Sequence, residues 1–276
     1  MDLELEKSIK SENRKLHNFS AKNYDNYPPY LLKKENKGYH QDLSFIKKRF
    51  INNQSPKSLD CGCGTGKLAL NLLRKGFLVS VLDISEEMIK ITNKKIKKSP
   101  FRDNNVISYV SEIDDFFIKN DEKFELICFT SVLHHLGDYF KTLDYAIKHL
   151  NNNGVIYISG EPQLITTKNR LIKIIEFMSG QSINIYRTLK NPKHTINFLR
   201  NKFSKNQNNK AINVDLAEFH ASKGLEDKKI VEFLQKSGFK VLKFETFLIH
   251  PFSFFEIFNF FYKNRPKTFK LIAQKI

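Results

Sequence analysis

The residues richest in chemistry are Asp60-Cys61-Gly62-Cys63-Gly64-Thr65-Gly66, followed by Lys67-Leu68-Ala69. Three alternating glycines let the backbone turn tightly and let a ligand approach without a Cβ in the way. Gly64-x-Gly66-x-x-Ala69 also satisfies a loose dinucleotide fingerprint, in which a pyrophosphate rests on a helix N-terminus. Asp60 argues against an anion there, because it would repel a pyrophosphate and suits a ligand bearing an ammonium group. The glycines follow a D-x-G-x-G-x-G register. Asp83, 17 residues past Gly66, ends the next apolar run. A carboxylate there can accept from both hydroxyls of a ribose, in either nucleotide class. Its plainer reading is a solvated helix-capping acid before Ser85. Glu112, just after the third apolar run, is placed to receive an adenine amino group, whereas Asp114 and Asp115 read as solvated or capping acids.

These residues need strands and helices to hold them. Ser58-Leu59-Asp60 leads into the glycines, and Lys67 to Lys75 reads as an amphipathic helix. Phe77 to Leu82 reads as a strand, and Ser85 to Lys97 as a helix with Ser85 as N-cap. Val106–Val110, Phe124–Phe129 and Val155–Ser159 read as further strands. Phe124–Phe129 is nearly all apolar, as a central parallel strand should be. Tyr139 to Leu150 reads as a helix closed by Asn151-Asn152-Asn153-Gly154. Strands alternating with helices predict βαβ units and a parallel sheet. After Glu161-Pro162 the rhythm breaks into helical patterns and an Asn/Lys-rich connector, 200–213. It resumes with a helix over Gly224–Ser237 and strands over Phe239–Ile249 and Thr268–Gln274, around a Phe-rich insert. The segment before residue 55 reads as helices and turns on the domain's edge.

Composition narrows the class. The 276 residues hold 41% hydrophobic and 27% charged side chains, which excludes a disordered tail or a small disulfide scaffold. Three cysteines fit a reducing, cytoplasmic compartment. The polar start is no signal peptide, and no run of about 18 apolar residues suggests a spanning helix. The net charge of +17 is uneven. Residues 1–160 carry 25 basic and 20 acidic groups, and residues 161–276 carry 21 and 9. A block from Lys168 to Lys210 could meet nucleic acid, an acidic membrane surface or a phosphorylated substrate. Yet 38 of the 46 basic residues are Lys. Nucleic-acid readers lean on Arg, so compositional drift is the larger part of the explanation.

With LDCGCGTG, VLDISEEMI, VSEIDDF, FELICFTSVLHHL and LNNNGVIYIS in this order and spacing over about residues 55–160, the chain resembles the class I S-adenosylmethionine-dependent methyltransferases. The resemblance implies an α/β Rossmann-like, doubly wound seven-stranded sheet, mostly parallel with an antiparallel last strand, plus a helical insert. It divides the chain into an N-terminal helical cap (1–54), a methyltransferase domain (55–160 and 223–276) and an acceptor-site insert (161–222). By the same match the cofactor is S-adenosyl-L-methionine, held by Asp60, Cys61, Gly62, Gly64, Thr65 and Gly66 around its methionine portion. Asp83 and Ile84 would meet the ribose side, and Met88 would pack on the adenine. Glu112 would bond its amino group, Ile113 would offer its backbone, and Thr130 would lie near the sulfonium. Glu112 stands where this broad group often has Asp. Cys61 and Cys63 are small enough to fit, and no further Cys or His lies nearby in sequence to complete a metal site.

Methyl transfer to a hydroxyl requires alignment and removal of a proton. His134 and His135 suit the latter, since histidine titrates near neutral pH. Many family members carry a similar Leu-His-His-Leu in which one His is structural. Glu161 reads as a substrate contact or a solvated loop acid. Tyr27-Pro28-Pro29-Tyr30 is similar to the Asp/Asn-Pro-Pro-Tyr motif of enzymes that methylate amino groups of bases, but Tyr27 replaces the polar residue that grips the amine. Tyr24, Tyr27 and Tyr30 read instead as a lid, with Tyr24 and Tyr30 as substrate contacts. Pro251–Tyr262 would form a helix with a wide apolar surface, for core packing, an acceptor pocket, a homodimer contact or a peripheral membrane contact. The expectation is a methyltransferase acting on a small organic acceptor, with O-methylation favoured. An RNA-modifying or nucleic-acid-binding protein using the Lys-rich insert, and a catalytically silent cofactor-binding scaffold, are the alternatives.

Overall fold

The computed structural model describes residues 2–101, 106–164, 186, 188–190, 212–220, 223–247 and 268–276. Seven strands form one sheet: β1 (Lys57–Cys61), β2 (Leu78–Asp83), β3 (Ile107–Val110), β4 (Phe124–Thr130), β5 (Leu150–Pro162), β6 (Phe239–Phe247) and β7 (Thr268–Lys275). Their order is β3-β2-β1-β4-β5-β7-β6. Neighbours from β3 to β5 pair in parallel, and β7 runs antiparallel to both β5 and β6. The chain moves outward through β2 and β3, then returns to the other side of β1 with β4. That reversal opens a crevice at the carboxyl ends of β1 and β4, where open α/β sheets bind ligands.

Both faces of the sheet are buried, so its central strands are apolar throughout. Leu59, Cys61, Phe129 and Ile156 pack in one core cluster, and Val81, Leu126, Cys128 and Tyr157 in the other. Helices α3 (Lys67–Arg74), α4 (Glu86–Lys97), α5 (Ile113–Lys119), α6 (Tyr139–Lys148), α7 (Val214–Ala217) and α8 (Asp227–Lys236) follow the strands. Ser85 caps α4 as its sequence position predicts, its hydroxyl accepting from the Met88 N–H at 3.2 Å.

One expectation changes. Asn151–Gly154 does not close α6; it forms the first part of β5, with a bulge opposite Phe124 and Leu126. The helix ends earlier because His149 caps it, its ring nitrogens bonding the Tyr145 and Asn120 carbonyls. Leu150 then pairs with Phe124, and Asn153 takes the left-handed conformation at φ 61°. The segment before residue 55, read only as helices and turns on the domain's edge, forms α1 (Leu3–Ser20) and α2 (Pro29–Lys47), whose residues line a cavity together with the carboxyl ends of the strands. Asn18 accepts from the Ser85 hydroxyl at 2.6 Å, and Glu35 pairs with Lys67 at 3.0 Å. Most of the Lys168–Lys210 block and all of the Phe-rich segment 250–266, with its expected helix, lie outside the described residues. Among the described residues no helix is long and apolar enough to cross a membrane.

Gly62 shows why the loop needs glycine. Its φ is +68°, and a Cβ there would lie 2.4 Å from Cγ2 of Val132. Gly62→Ala is expected to cost about 1–3 kcal/mol of stability in urea unfolding. The Val132→Ala double variant should recover part of that loss, because the clash goes while the backbone strain stays.

Candidate active site

A cavity of about 730 Å³ opens where α1 and α2 cross the strand ends, within the size range of cofactor and small-molecule sites. At one end it is lined by Gly62, Gly64, Thr65, Asp83, Ile84, Glu112, Ile113 and Thr130, eight of the twelve residues expected to hold a cofactor. Asp83 organises this end. Its Oδ2 accepts from the Gly64 N–H and its Oδ1 from the Ser85 N–H, each at 2.8 Å. One carboxylate thus ties the loop after β1 to the cap of α4. Burial raises its pKa above the usual carboxylate value, against the opposing pull of His17 and these two amides. Glu112 faces the cavity and is paired with Lys10 at 2.9 Å and Arg14 at 3.5 Å. An incoming amino group would therefore share this carboxylate with α1.

The other four do not line the cavity. Gly66 is the left-handed N-cap of α3, at φ +80°. Met88 is fully buried within α4. Cys61 is a buried free thiol, as is Cys63, which is not one of the twelve and does line the cavity; burial pushes both pKa values well above the usual thiol range, so they stay protonated. Asp60 is fully buried, and neither carboxylate oxygen has a hydrogen-bond partner among the described residues. Burial first, then the charge of Asp83, push its pKa up to about 8, against the Ala69 N–H.

The far end differs from expectation. Glu161 was expected as a substrate contact, yet it is fully buried and does not line the cavity. Its Oε1 accepts from the Val132 and Leu133 N–H groups at 2.7 and 2.9 Å, and its Oε2 from the His134 N–H at 3.2 Å. It is an internal anion that shapes the turn after β4. Ser131 in that turn has φ 53°, a left-handed non-glycine residue of the kind that collects at functional sites.

His134 also lies off the cavity. Its Nδ1 donates to Glu161 Oε2 at 2.8 Å, and its Nε2 lies 3.6 Å from Glu218. Burial works against its charge, but the two carboxylates prevail and hold its pKa at about 9. It is an imidazolium at neutral pH, which removes it as a general base. His135 does line the cavity. Its Nδ1–H donates to the Ala217 carbonyl at 2.8 Å. Burial, aided by the neighbouring His134 cation, drives its pKa to about 3, so it is neutral with Nε2 unprotonated. His134, His135 and Glu218 also bring one ligand-type atom each within 4.8 Å of one another.

Several lining residues went unnoticed in the sequence. His17 of α1 packs edge-on against His135, ring centroids 5.0 Å apart, and burial lowers its pKa. Asp25, which does not itself line the cavity, accepts from the hydroxyl of the lining residue Thr65 at 2.7 Å. Asp42 and Lys270 form a buried pair at the end away from the glycines. Of the expected lid tyrosines, Tyr24 and Tyr27 line the cavity; Tyr30 does not and is 37% exposed. Only Lys270 carried a sequence signal, a lone charge inside Phe269–Ala273.

A family model described as a methyltransferase domain matches residues 32–179. The chain is 25% identical over 130 residues to a ubiquinone biosynthesis O-methyltransferase of Rickettsia akari, covering 47% of this chain and 46% of that protein. It is 26% identical over 151 residues to a malonyl-(acyl-carrier protein) O-methyltransferase of Bacillus anthracis, covering 53% and 51%. The chain spans between about one fifth and three fifths of the length of the curated relatives it matches. Among solved structures, magnesium protoporphyrin IX methyltransferase from Synechocystis PCC 6803, with bound SAM, superposes with a TM-score of 0.56 at 14% identity, over 97% of both chains. N-methyltransferase NodS from Bradyrhizobium japonicum, in complex with S-adenosylhomocysteine, gives 0.50 at 12% identity, over 87% and 86%. These likenesses are of fold.

The two adjacent histidines should titrate apart. In a pH series of imidazole NMR spectra, His134 is expected to titrate near 9, and His135 to stay neutral down to acid unfolding. Since the folded pKa of His134 exceeds its unfolded value near 6.5, its contribution to stability is complete below that pH and is lost as pH rises through about 9.

Proposed function

Because the chain belongs to the methyltransferase-domain family of class I S-adenosylmethionine-dependent enzymes, we propose that it methylates an oxygen of a small organic acceptor. The observation that carries this reading is the pair of buried acids at the glycine loop. Asp60 is a buried carboxyl group that holds its proton to about pH 8 and has no hydrogen-bond partner for either oxygen among the described residues, and Asp83 lies at the end of the adjacent strand. An orphaned buried carboxylate is costly, and a cationic ligand over the loop would offset that cost. The residues therefore fit S-adenosylmethionine, whose ammonium and sulfonium groups are both positive. The glycines leave the space a Cβ would fill, and the Asp83 carboxylate is fixed at the cavity wall.

S-Adenosylmethionine, when bound, supplies an electrophilic methyl group on sulfur. The chain's own residues do the rest. Asp83 accepts from the ribose hydroxyls, Glu112 from the adenine amino group, and Gly62–Thr65 cradle the amino-acid end. Residues of α1, α2 and the connection between them, Tyr24 and Tyr27 in that connection, shield the site from water. His135 takes the acceptor's proton at Nε2, with its ring fixed through Nδ1 on Ala217. Glu161 and His134 act through position, setting the turn that carries His135.

Oxygen as the accepting atom draws support from the two O-methyltransferase relatives. The test is incorporation of labelled methyl groups into a small-molecule extract. Asp83→Ala is expected to weaken S-adenosylmethionine binding by about 10–100-fold in calorimetry, the loss of charge-assisted hydrogen bonds. His135→Ala should lower turnover by about 10²–10⁴-fold with cofactor affinity unchanged. Unchanged turnover in His135→Ala would remove the proton-acceptor role.

A further inference from the structure

The end of the cavity away from the glycine loop has its own charge arrangement. Strand register places four residues in one transverse row: Thr130 of β4 opposite Ser159 of β5, Ser159 opposite Lys270 of β7, and Lys270 opposite Glu245 of β6. All four line the cavity. Alternation along β7 explains the lysine's position. Phe269 and Leu271 pack into one core, while Lys270 shares the opposite face with Ile272.

A lysine inside a strand paired on both sides must be compensated. Lys270 Nζ donates to both oxygens of Asp42, at 3.0 and 3.1 Å, and to Glu245 at 2.9 Å. Asp42 is only 2% exposed; it also accepts from the Tyr157 hydroxyl and from Lys243, each at 3.0 Å. Two ammonium groups and two carboxylates thus balance, but the carboxylates differ. Asp42 is locked from three directions. Glu245 reaches in from the open side with a side chain 48% exposed, held among the described residues by Lys270 at 2.9 Å and Lys243 at 3.2 Å. It can be exchanged for another anion without changing the charge of the cluster.

We propose that Lys270, with Lys243 behind it, anchors a carboxylate of the methyl acceptor in place of Glu245. The inference rests on the methyltransferase reading for one point only, that the reacting oxygen lies near Thr130. Adjacent strands are about 4.8 Å apart, so Lys270 stands two strand spacings, about 10 Å, from Thr130. The acceptor class is therefore a hydroxy acid whose carboxylate and reacting oxygen are separated by roughly 6–10 Å, allowing for side-chain reach. An aromatic ring between the two groups fills that span.

The test uses the full chain loaded with S-adenosylhomocysteine, and compares 4-hydroxybenzoate, 4-hydroxyphenylacetate and 4-hydroxycinnamate with their methyl esters by calorimetry. At least one acid should bind about ten-fold more tightly than its ester, the value of one charge-assisted contact. Lys270→Met should reduce that preference below about two-fold, and Glu245→Gln should raise acid affinity several-fold and leave the ester unchanged. If no acid is preferred over its ester, or if the preference survives Lys270→Met, the anchor does not exist. Where Lys270→Met fails to fold, Glu245→Gln decides alone, and unchanged acid affinity overturns the proposal. Loading with S-adenosylhomocysteine is measured first. Its failure counts against the methyltransferase reading, whereas loading without acid preference counts against the anchor alone.

Discussion

Two buried acids with incomplete compensation among the described residues are the constraint on which the candidate site turns. Asp60 and Asp83 sit at the ends of adjacent strands under a loop that offers backbone amides. Each raises the other's cost, and Asp60 answers by holding its proton to about pH 8. A fold tolerates such a pair where a ligand is to complete it. The glycines, the hydrogen bond from Gly64 to Asp83, and the helices laid over the strand ends all preserve an opening above these carboxylates. The open α/β sheet supplies the place, since β1 and β4 diverge at its switch point.

Other buried charges in the same cavity region are treated differently, and the contrast separates structural groups from ligand-binding ones. Glu161 is as deeply buried as Asp60 but accepts three backbone N–H groups and a cationic imidazole. It is complete without any ligand, and its work is to fix the turn after β4. Glu218, from within the stretch 161–222, closes the same network. Burial opposes its charge, yet the His134 hydrogen bond and the two imidazoles bring its pKa to about 2. The Asp42 cluster lies between these cases, with an inner carboxylate locked and an outer one exchangeable. Completeness of compensation, rather than burial alone, distinguishes the three.

The sequence carried the sheet's parallel core and the cofactor loop because both depend on local signals. Apolar runs of β1, β2 and β4, three glycines and the Ser85 cap need no knowledge of distant residues. What it did not carry was pairing across long separations. Glu161 looked like a loop acid, and only β5 running beside β4 places it under the Val132–His134 turn. Asp42 and Lys270 are 228 residues apart, and no periodicity predicts that they meet. His134 and His135 read as equivalent from sequence. Their opposite behaviour comes from which acceptor each Nδ1 finds, a carboxylate for one and a neutral carbonyl for the other. The Asn-rich stop signal after α6 failed for a similar reason, because β5 had a partner in Phe124 for its first residue.

The most direct measurement is of protons released when S-adenosylmethionine binds at pH 7. Calorimetric titrations in two buffers of different ionisation enthalpy report it. If the cofactor's positive charge relieves Asp60, binding lowers that pKa from about 8 and releases a large fraction of one proton. Asp60→Asn should bind without that release. Binding with no proton linkage in the wild-type chain, or a release that persists in Asp60→Asn, would contradict the account.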